Sequence, residues 1–265
     1  MTAIAVTIAG SDSGGGAGIQ ADLKTFAALG VYGASVVTAL TAQNTKGVAA
    51  IHDVPADFID AQIDAVFADL AVNAVKTGML SQASTIERVA AALARHKQHN
   101  VVVDPVMIAS SGDRLLAPDA IDVLTRVLMP RALLLTPNLL EAAALTGRPV
   151  AETESDMRAQ AERLLLYGAR AVLIKGGHGS GAESVDLLVE PDTVTRLVAE
   201  RVATKNTHGT GCTLSSAVAA GLAKGLGLID AAREAKDYVT AAIAAADRLS
   251  VGTGHGPVHH FHRWW

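Results

Sequence analysis

Short apolar runs alternate with longer segments of helical periodicity along the whole chain. The apolar runs predict strands at residues 4–9, 31–43, 48–54, 74–76, 101–103, 133–135, 171–174, 184–189 and 194–202. Apolar spacing, with prolines as helix openers, predicts helices at 19–29, 55–70, 85–96, from 118, from 138, 155–167, 212–225 and 230–249. Strands that alternate with helices at this spacing predict an α/β fold, a mostly parallel sheet covered by helices on both faces.

The composition indicates a large core and excludes several classes of function. Half of the 265 residues are hydrophobic and 18% are charged, as expected for one domain, residues 1–265, with a substantial core. The balance of 22 basic and 26 acidic residues gives no reason to expect nucleic acid or an acidic membrane as a partner. A single Cys excludes an internal disulfide and a cysteine zinc site. Without a long apolar stretch or a basic N-terminal region, we expect a soluble cytoplasmic protein.

A glycine-rich loop follows the first predicted strand, with the sequence Gly-Ser-Asp-Ser-Gly-Gly-Gly-Ala-Gly from Gly10 to Gly18. Two nucleotide-binding motifs fail here. The P-loop requires glycine directly before Lys-Ser/Thr, but Leu23 precedes Lys24, and the dinucleotide fingerprint needs a different glycine spacing. A flexible loop that binds no phosphate is therefore the alternative to a ligand loop. Asp22 lies one turn into the following helix, where it could reach whatever the loop encloses.

A second glycine turn, Gly209-Thr210-Gly211-Cys212, precedes a helix rich in small residues. Unpaired N–H groups and the positive end of the helix dipole meet at such a turn and form an anion site. Cys212 is the only cysteine of the chain, and a thiol in this place is expected to have a lowered pKa and to act as a thiolate or base. The alternative is an ordinary loop before a core helix, with the cysteine as a small apolar filler.

Polar residues follow two further strands. Asp104 comes directly after the strand at 101–103, and the carboxyl ends of parallel strands face the crevice where α/β sheets bind ligands. Asn138 is a natural helix N-cap, and Glu141 three residues later can complete a capping box. Capping alone is thus an alternative role for Glu141.

These motifs recur together in one superfamily. Six segments, residues 10–22, 41–45, 104–107, 136–141, 175–178 and 206–213, resemble the ribokinase-like superfamily. Within it the chain looks most like bacterial hydroxymethylpyrimidine and hydroxymethylpyrimidine-phosphate kinases of thiamine biosynthesis. The Gly-Thr-Gly-Cys turn is the specific part, because other members usually carry aspartate at the position of Cys212. The segments at 104–107 and 136–138 are shared with pyridoxal kinases, and residues 254–261 resemble the tail of these enzymes.

The resemblance implies a three-layer α/β/α fold and an activity. It implies ATP-dependent phosphorylation of 4-amino-5-hydroxymethyl-2-methylpyrimidine and then of its monophosphate, with Mg²⁺ as cofactor and a homodimer as the assembly. Pyridoxal kinase activity, as main or side activity, is one alternative. A catalytically idle pyrimidine-binding relative used as a sensor is the other.

The roles implied for the phosphate side of the site agree with the chemistry of phosphoryl transfer, which needs charge neutralisation and alignment. The amides of Gly209, Thr210 and Gly211 would hold the transferring group, and Cys212 would accept or orient the hydroxymethyl proton. Lys175 and Asn138 would contact ATP. The two carboxylates, Asp104 and Glu141, would bind magnesium, mainly through waters.

Four residues are implied to recognise the substrate: Asp22, Gln43, Met79 and Val106. The carboxamide of Gln43 carries a donor and an acceptor, which match the amine and ring nitrogen of an aminopyrimidine edge. Its alternative is a polar turn residue at the end of a strand. Met79 and Val106 would sandwich the ring, or they are plain core residues.

Overall fold

A computed structural model of the protein describes residues 1–107, 115–117, 119–177 and 181–265. The strands are Ile4–Ala9 (β1), Tyr32–Val37 (β2), Ala39–Asn44 (β3), Gly47–Asp53 (β4), Ala74–Thr77 (β5), Val101–Val103 (β6), Leu134–Leu135 (β7), Val172–Lys175 (β8), Glu183–Val189 (β9) and Val194–Glu200 (β10). The helices are Gly18–Ala28 (α1), Ala56–Asp69 (α2), Ala83–Arg95 (α3), Ala120–Val123 (α4), Leu139–Thr146 (α5), Glu154–Leu165 (α6), Thr210–Ala223 (α7) and Leu228–Ala244 (α8). No helix in these ranges is long and apolar enough to cross a membrane.

Eight strands form the main sheet, in the order β10-β9-β8-β7-β6-β5-β1-β2. The six strands from β8 to β2 are parallel, and β9 and β10 extend the sheet as an antiparallel hairpin. The predicted mostly parallel sheet is therefore confirmed. Because the parallel strands share one direction, the loops that follow them lie at a single edge of the sheet.

Helices cover both faces of the sheet, which confirms the predicted three-layer α/β/α arrangement. One face packs on the core of the layer that holds α2 to α6, with Val6 and Ile8 of β1 among its buried residues. The other face packs on α1, α7 and α8 and includes Ala5 of β1, Phe26 and Val218. The alternation of neighbouring β1 residues between the two cores follows from the period of two in a strand.

The predicted single strand at 31–43 is wrong, because the chain divides it between two sheets. Strand β2 is an edge of the main sheet, whereas β3 pairs with β4 in a separate two-stranded antiparallel sheet. The division falls at Thr38, whose N–H donates to the Ala9 carbonyl (3.0 Å) and whose hydroxyl donates to the Met79 carbonyl (2.8 Å). A run of strand-forming residues does not reveal that its pairing partner changes.

Several predicted boundaries shift at helix ends. Helix α7 begins at Thr210, two residues earlier than predicted, because Gly209 is its N-cap at φ +81°. Helix α4 continues into a π-helical turn at Leu124–Leu128 and a 3₁₀ turn at Met129–Arg131. Helix α8 ends at Ala244 and is followed by a 3₁₀ turn. Pro118, His178 and most of the segment 109–116, which we predict to be mobile, lie outside the described residues.

Candidate active site

The loops after β1, β5, β6, β7 and β8 meet the start of α7 at one edge of the sheet. Gly211 marks the meeting point. A Cβ atom added there would lie 3.1 Å from Lys175 Nζ and 3.9 Å from Asp104 Oδ2. The lysine that ends β8 and the aspartate that follows β6 therefore face the N-terminus of α7 directly. A side chain at residue 211 would fill the space between them.

Lys175 and Asp104 form a buried ion pair at this point. Lys175 Nζ lies 2.8 Å from Asp104 Oδ1 and 3.9 Å from Glu141 Oε2. The Thr136 hydroxyl donates to the same oxygen, Asp104 Oδ1 (3.1 Å), and the Ser215 hydroxyl donates to Oδ2 (3.2 Å). Burial works against ionisation of Asp104, but Lys175, Lys76 and the hydrogen bonds to the carboxylate together outweigh it and the pKa of the carboxyl is lowered. The surroundings of Asp104 thus favour a negative charge beside the ammonium group.

Glu141 has two roles in the structure. Its Oε2 accepts from the Asn138 N–H (2.8 Å), and Asn138 Oδ1 accepts from the Glu141 N–H (2.9 Å), so the predicted capping box is confirmed. Burial raises the pKa of the Glu141 carboxyl to about 7; Lys175 opposes this shift and the charge of Asp104 adds to it. Near neutral pH the site therefore gains or loses a negative charge at Glu141.

The carboxylates of Asp104 and Glu141 are hard oxygen ligands of the kind that Mg²⁺ prefers. In the part of the chain that the structure describes, no three or more His, Cys, Asp or Glu side chains are grouped to hold a metal. Mg²⁺ is commonly held by one or two carboxylates together with waters and substrate phosphates. The donor set therefore fits such an ion and does not form a closed metal site.

The turn before α7 presents free amide donors. The Thr210 N–H donates to the Thr207 carbonyl (3.2 Å), as does the Thr210 hydroxyl (2.7 Å). In the described ranges the N–H groups of Gly211 and Cys212 donate to no protein acceptor, as expected in the first turn of a helix. The Gly209 N–H likewise has no acceptor in these ranges, so the donors that remain for an anion are those of Gly209, Gly211 and Cys212.

The predicted lowering of the Cys212 pKa is wrong. Burial raises the pKa of the thiol to about 11, and the carboxylates of Asp22 and Asp104 add to the effect. Lys76 and a backbone hydrogen bond from Gly18 act in the opposite direction without overcoming it. At neutral pH Cys212 therefore carries its proton. The helix N-terminus alone does not decide the state of the thiol, because burial disfavours the charged form.

Asp22 is buried and bonded to groups of its own chain, and its contact with a substrate stays a prediction. Its side chain is fully buried. The carboxylate accepts hydrogen bonds from the hydroxyl groups of Thr7 (2.6 Å) and Ser216 (2.7 Å), and both of its oxygens accept from Lys76 Nζ (2.9 Å). Burial opposes a charged Lys76, but Asp22 outweighs it and the pKa of the lysine is raised. The sequence analysis missed Lys76. Its signal is a lysine within the apolar run of β5, where charged residues are buried only when paired.

The other substrate candidates lie around the first glycine loop and β6. Gln43 follows a β-bulge in β3, is half-buried, and exchanges backbone hydrogen bonds with the Ser13 hydroxyl (2.8 Å each way). Met79 is buried, and its methyl group fills the place that a side chain at Gly10 would take. Val106 is half-buried, two residues after Asp104. Substrate contact by Gln43, Met79 and Val106 stays a prediction.

The first glycine loop encloses a carboxylate of its own chain. Asp12 accepts from the N–H groups of Gly14 (2.8 Å), Gly16 (3.0 Å) and Ala17 (2.8 Å). His208 Nε2 lies 2.8 Å from Asp12 Oδ2. Burial works against the charge of Asp12, but His208 and the loop amides outweigh it and the pKa is lowered. These amides are therefore occupied, and the sequence analysis did not anticipate Asp12 or His208.

Comparisons with known proteins identify close relatives. The family model for phosphomethylpyrimidine kinase matches residues 12–259. The hydroxymethylpyrimidine/phosphomethylpyrimidine kinase of Rhizobium meliloti is 62% identical over 265 residues, which cover 100% of this chain and 99% of that protein. The thiamine biosynthesis bifunctional protein ThiED of Geobacter sulfurreducens is 54% identical over 255 residues, covering 96% of this chain and 51% of that protein. An ADP complex of Bacillus subtilis pyridoxal kinase has a TM-score of 0.92 at 38% identity, with 100% of both chains covered.

Proposed function

The chain belongs to the phosphomethylpyrimidine kinase family and is a phosphotransferase, and we propose that it phosphorylates 4-amino-5-hydroxymethyl-2-methylpyrimidine and then its monophosphate, with ATP as donor, in thiamine diphosphate biosynthesis. The observation that carries the proposal is the meeting of free amides at Gly211 and Cys212 with the ammonium group of Lys175, 3.1 Å from the Cβ position of Gly211. A site of this kind stabilises the charge on a transferring phosphoryl group.

The chain's own groups divide the work of the transfer. Lys175 neutralises phosphate charge, and the amides of Gly211 and Cys212 orient the transferring group. The hydroxymethyl oxygen attacks phosphorus as the bond from phosphorus to the ADP oxygen breaks, and its proton passes to the sulfur of Cys212 in the minor fraction of the enzyme that carries the thiolate. Lys76 lies beneath and favours that thiolate electrostatically.

Mg²⁺ is part of the proposal, with Asp104 and Glu141 as the residues that would hold it, partly through waters. When bound, the ion supplies further charge neutralisation to the phosphate oxygens. Asn138 contributes indirectly through the capping box that orients Glu141. The need for ATP supports the cytoplasm as the place of action.

The proposal is tested by measuring ADP formation with free pyrimidine, pyrimidine phosphate and pyridoxal in turn. We expect both pyrimidines to stimulate ADP formation, and EDTA to abolish it. No stimulation by any of the three would identify an idle ligand-binding relative. A strong preference for pyridoxal would favour pyridoxal kinase, which is the second candidate because of the structural similarity to the Bacillus subtilis enzyme.

The variant Gln43→Met is expected to separate the two kinase activities. A carboxamide matches both groups of an aminopyrimidine edge, whereas pyridoxal offers a phenolic oxygen and an aldehyde. Loss of the hydrogen bonds should cost the pyrimidine about 1–3 kcal/mol in transition-state binding. The measurement is the ratio of kcat/KM for the two substrates. As a control, Gln62→Met removes another half-buried amide, which bonds only to the backbone of Val37 (2.9 and 3.1 Å), and should leave the ratio unchanged. An unaltered ratio in Gln43→Met would mean that this side chain does not read the ring.

A homodimer is the assembly we propose. Four large apolar side chains are exposed on β2, β3, β4 and α2, namely Tyr32, Leu40, Ile51 and Phe58. These exposed apolar side chains are the support for a protein interface. Light scattering should give the mass of two chains, and Leu40→Glu should shift it to one. A single-chain mass for the unaltered protein would overturn the proposal.

A further inference from the structure

Asp12 and His208 join two loops that are far apart in sequence. The Asp12 carboxylate is 2% exposed and His208 is 9% exposed, so the contact between Oδ2 and Nε2 at 2.8 Å is shielded from water. The same Oδ2 accepts from Gly16 and Ala17. One buried oxygen therefore fixes the fold of the first glycine loop and the side chain that precedes the phosphate-binding turn.

The two loops also touch through their backbones. Gly209 has φ +81°, and a Cβ atom there would overlap the carbonyl oxygen of Gly16. The turn that carries the free amides is thus seated on the first glycine loop at two successive residues, His208 and Gly209. Only glycine at 209 permits this approach.

The backbone of His208 is held from the opposite side by the segment 254–258. The His208 N–H donates to the Gly256 carbonyl (3.0 Å), and the Val258 N–H donates to the His208 carbonyl (3.3 Å). With its side chain bound to Asp12 as well, His208 has little freedom to move. The backbone contacts with segment 254–258 and the side-chain contact with Asp12 therefore fix the direction in which the chain enters Gly209.

We propose that His208 is a positioning residue, which aligns the amides of Gly211 and Cys212 with the reacting groups by tying the turn to Asp12. The inference rests on the proposed phosphoryl transfer. A buried polar pair of this kind is seldom retained for stability alone, since apolar side chains of similar size often stabilise as well. Misplacement of a catalytic group by about 1 Å can cost about 10²-fold in rate.

The test compares His208→Leu, which removes the donor, with His208→Gln, whose amide can donate to Asp12 again. We expect His208→Leu to lower kcat about 10- to 100-fold with a small change in KM for ATP, and His208→Gln to recover most of the loss. His260→Leu is the matched control. His260 is also buried, and its Nε2 lies 3.0 Å from the hydroxyl of Thr213 in the first turn of α7. Its replacement should lower Tm without this fall in kcat.

A binding measurement keeps the inference separate from the identity of the substrate. Affinity for ADP alone and for ADP with aluminium fluoride, a mimic of the transferring group, is measured for each variant. We expect His208→Leu to reduce the increase in ADP affinity that aluminium fluoride gives. His208→Gln should restore this increase, whichever alcohol the enzyme accepts. A fall in Tm with kcat and this gain unchanged would overturn the positioning role and leave His208 a structural residue. If pyrimidines fail to stimulate ADP formation but His208→Leu still loses the increase in affinity with aluminium fluoride, only the proposed substrate is overturned.

Discussion

Replacement of Cys212 by alanine is expected to lower kcat by about 10²-fold or more, with little change in the affinity for ATP. The sulfur lies where the first turn of α7 faces Asp104 and Lys175, and the proposed contact of ATP with Lys175 does not depend on the thiol. Removal of the thiol takes away the proton acceptor and leaves the amide of residue 212 in place. Steady-state kinetics with saturating pyrimidine and ATP measure the effect.

Two controls distinguish chemistry from packing at Cys212. Cys212→Asp, which introduces the residue usual in the superfamily, should keep more activity than alanine. Burial raises the thiol pKa to about 11. At any pH below that value, the thiolate fraction of the native enzyme grows about tenfold with each unit by which the pH rises. At pH values well above the Glu141 pKa of about 7, the rate of the native enzyme should therefore still rise with pH, and that of Cys212→Asp should not. Near-normal turnover in Cys212→Ala would make the residue a packing element.

The variant Lys175→Met is expected to lower kcat/KM for ATP by roughly 10²- to 10³-fold, as the loss of one stabilising donor at a developing charge does. The methionine keeps the length of the side chain but leaves Asp104 and Glu141 without their shared cation. Nucleotide binding and turnover are measured separately, by titration and by initial rates.

Loss of Lys175 should also be visible without any substrate. Lys175 opposes the burial that raises the Glu141 pKa to about 7, so the pKa should rise further in Lys175→Met, which NMR titration of the carboxyl would detect. Lys224→Met is a control for loss of one positive charge, since Lys224 makes only a long contact with exposed Glu234 (3.7 Å). An equal loss of kcat/KM in both variants would contradict a specific role for Lys175.

Features that depend on neighbours in sequence could be predicted, whereas those that depend on distant residues could not. The capping box of Asn138 and Glu141 spans three residues and follows from residue type and spacing. The Asp12–His208 contact joins residues 196 positions apart, and nothing in either local segment indicates it. Asp22 and Lys76, which also form a buried pair, lie 54 positions apart in the sequence. The strand at 31–43 shows the same limit, because its pattern reveals extended backbone but not the sheet to which each half belongs.

The direction of the Cys212 pKa shift could not be predicted either, because it also depends on residues that are distant in sequence. A glycine turn before a helix is a local signal, and it correctly indicates free amides at Gly211 and Cys212. Burial is the main cause of the raised thiol pKa, and the charges that act on it, those of Lys76, Asp22 and Asp104, come from β5, α1 and the loop after β6. Where electrostatic neighbours come from several elements, a motif identifies the residue but not its protonation state.

The contacts of segment 254–258 have a consequence for synthesis of the protein. Ribosomes add about 5–20 residues per second, and domains begin to fold as the chain emerges. Every strand of the main sheet is translated before Gly256, whose carbonyl holds the His208 N–H. The growing chain can therefore assemble its sheet while the phosphate-binding turn is still unsecured. We expect a nascent kinase to bury its core before it can transfer phosphate, so that catalysis starts only after the segment 254–258 has been translated.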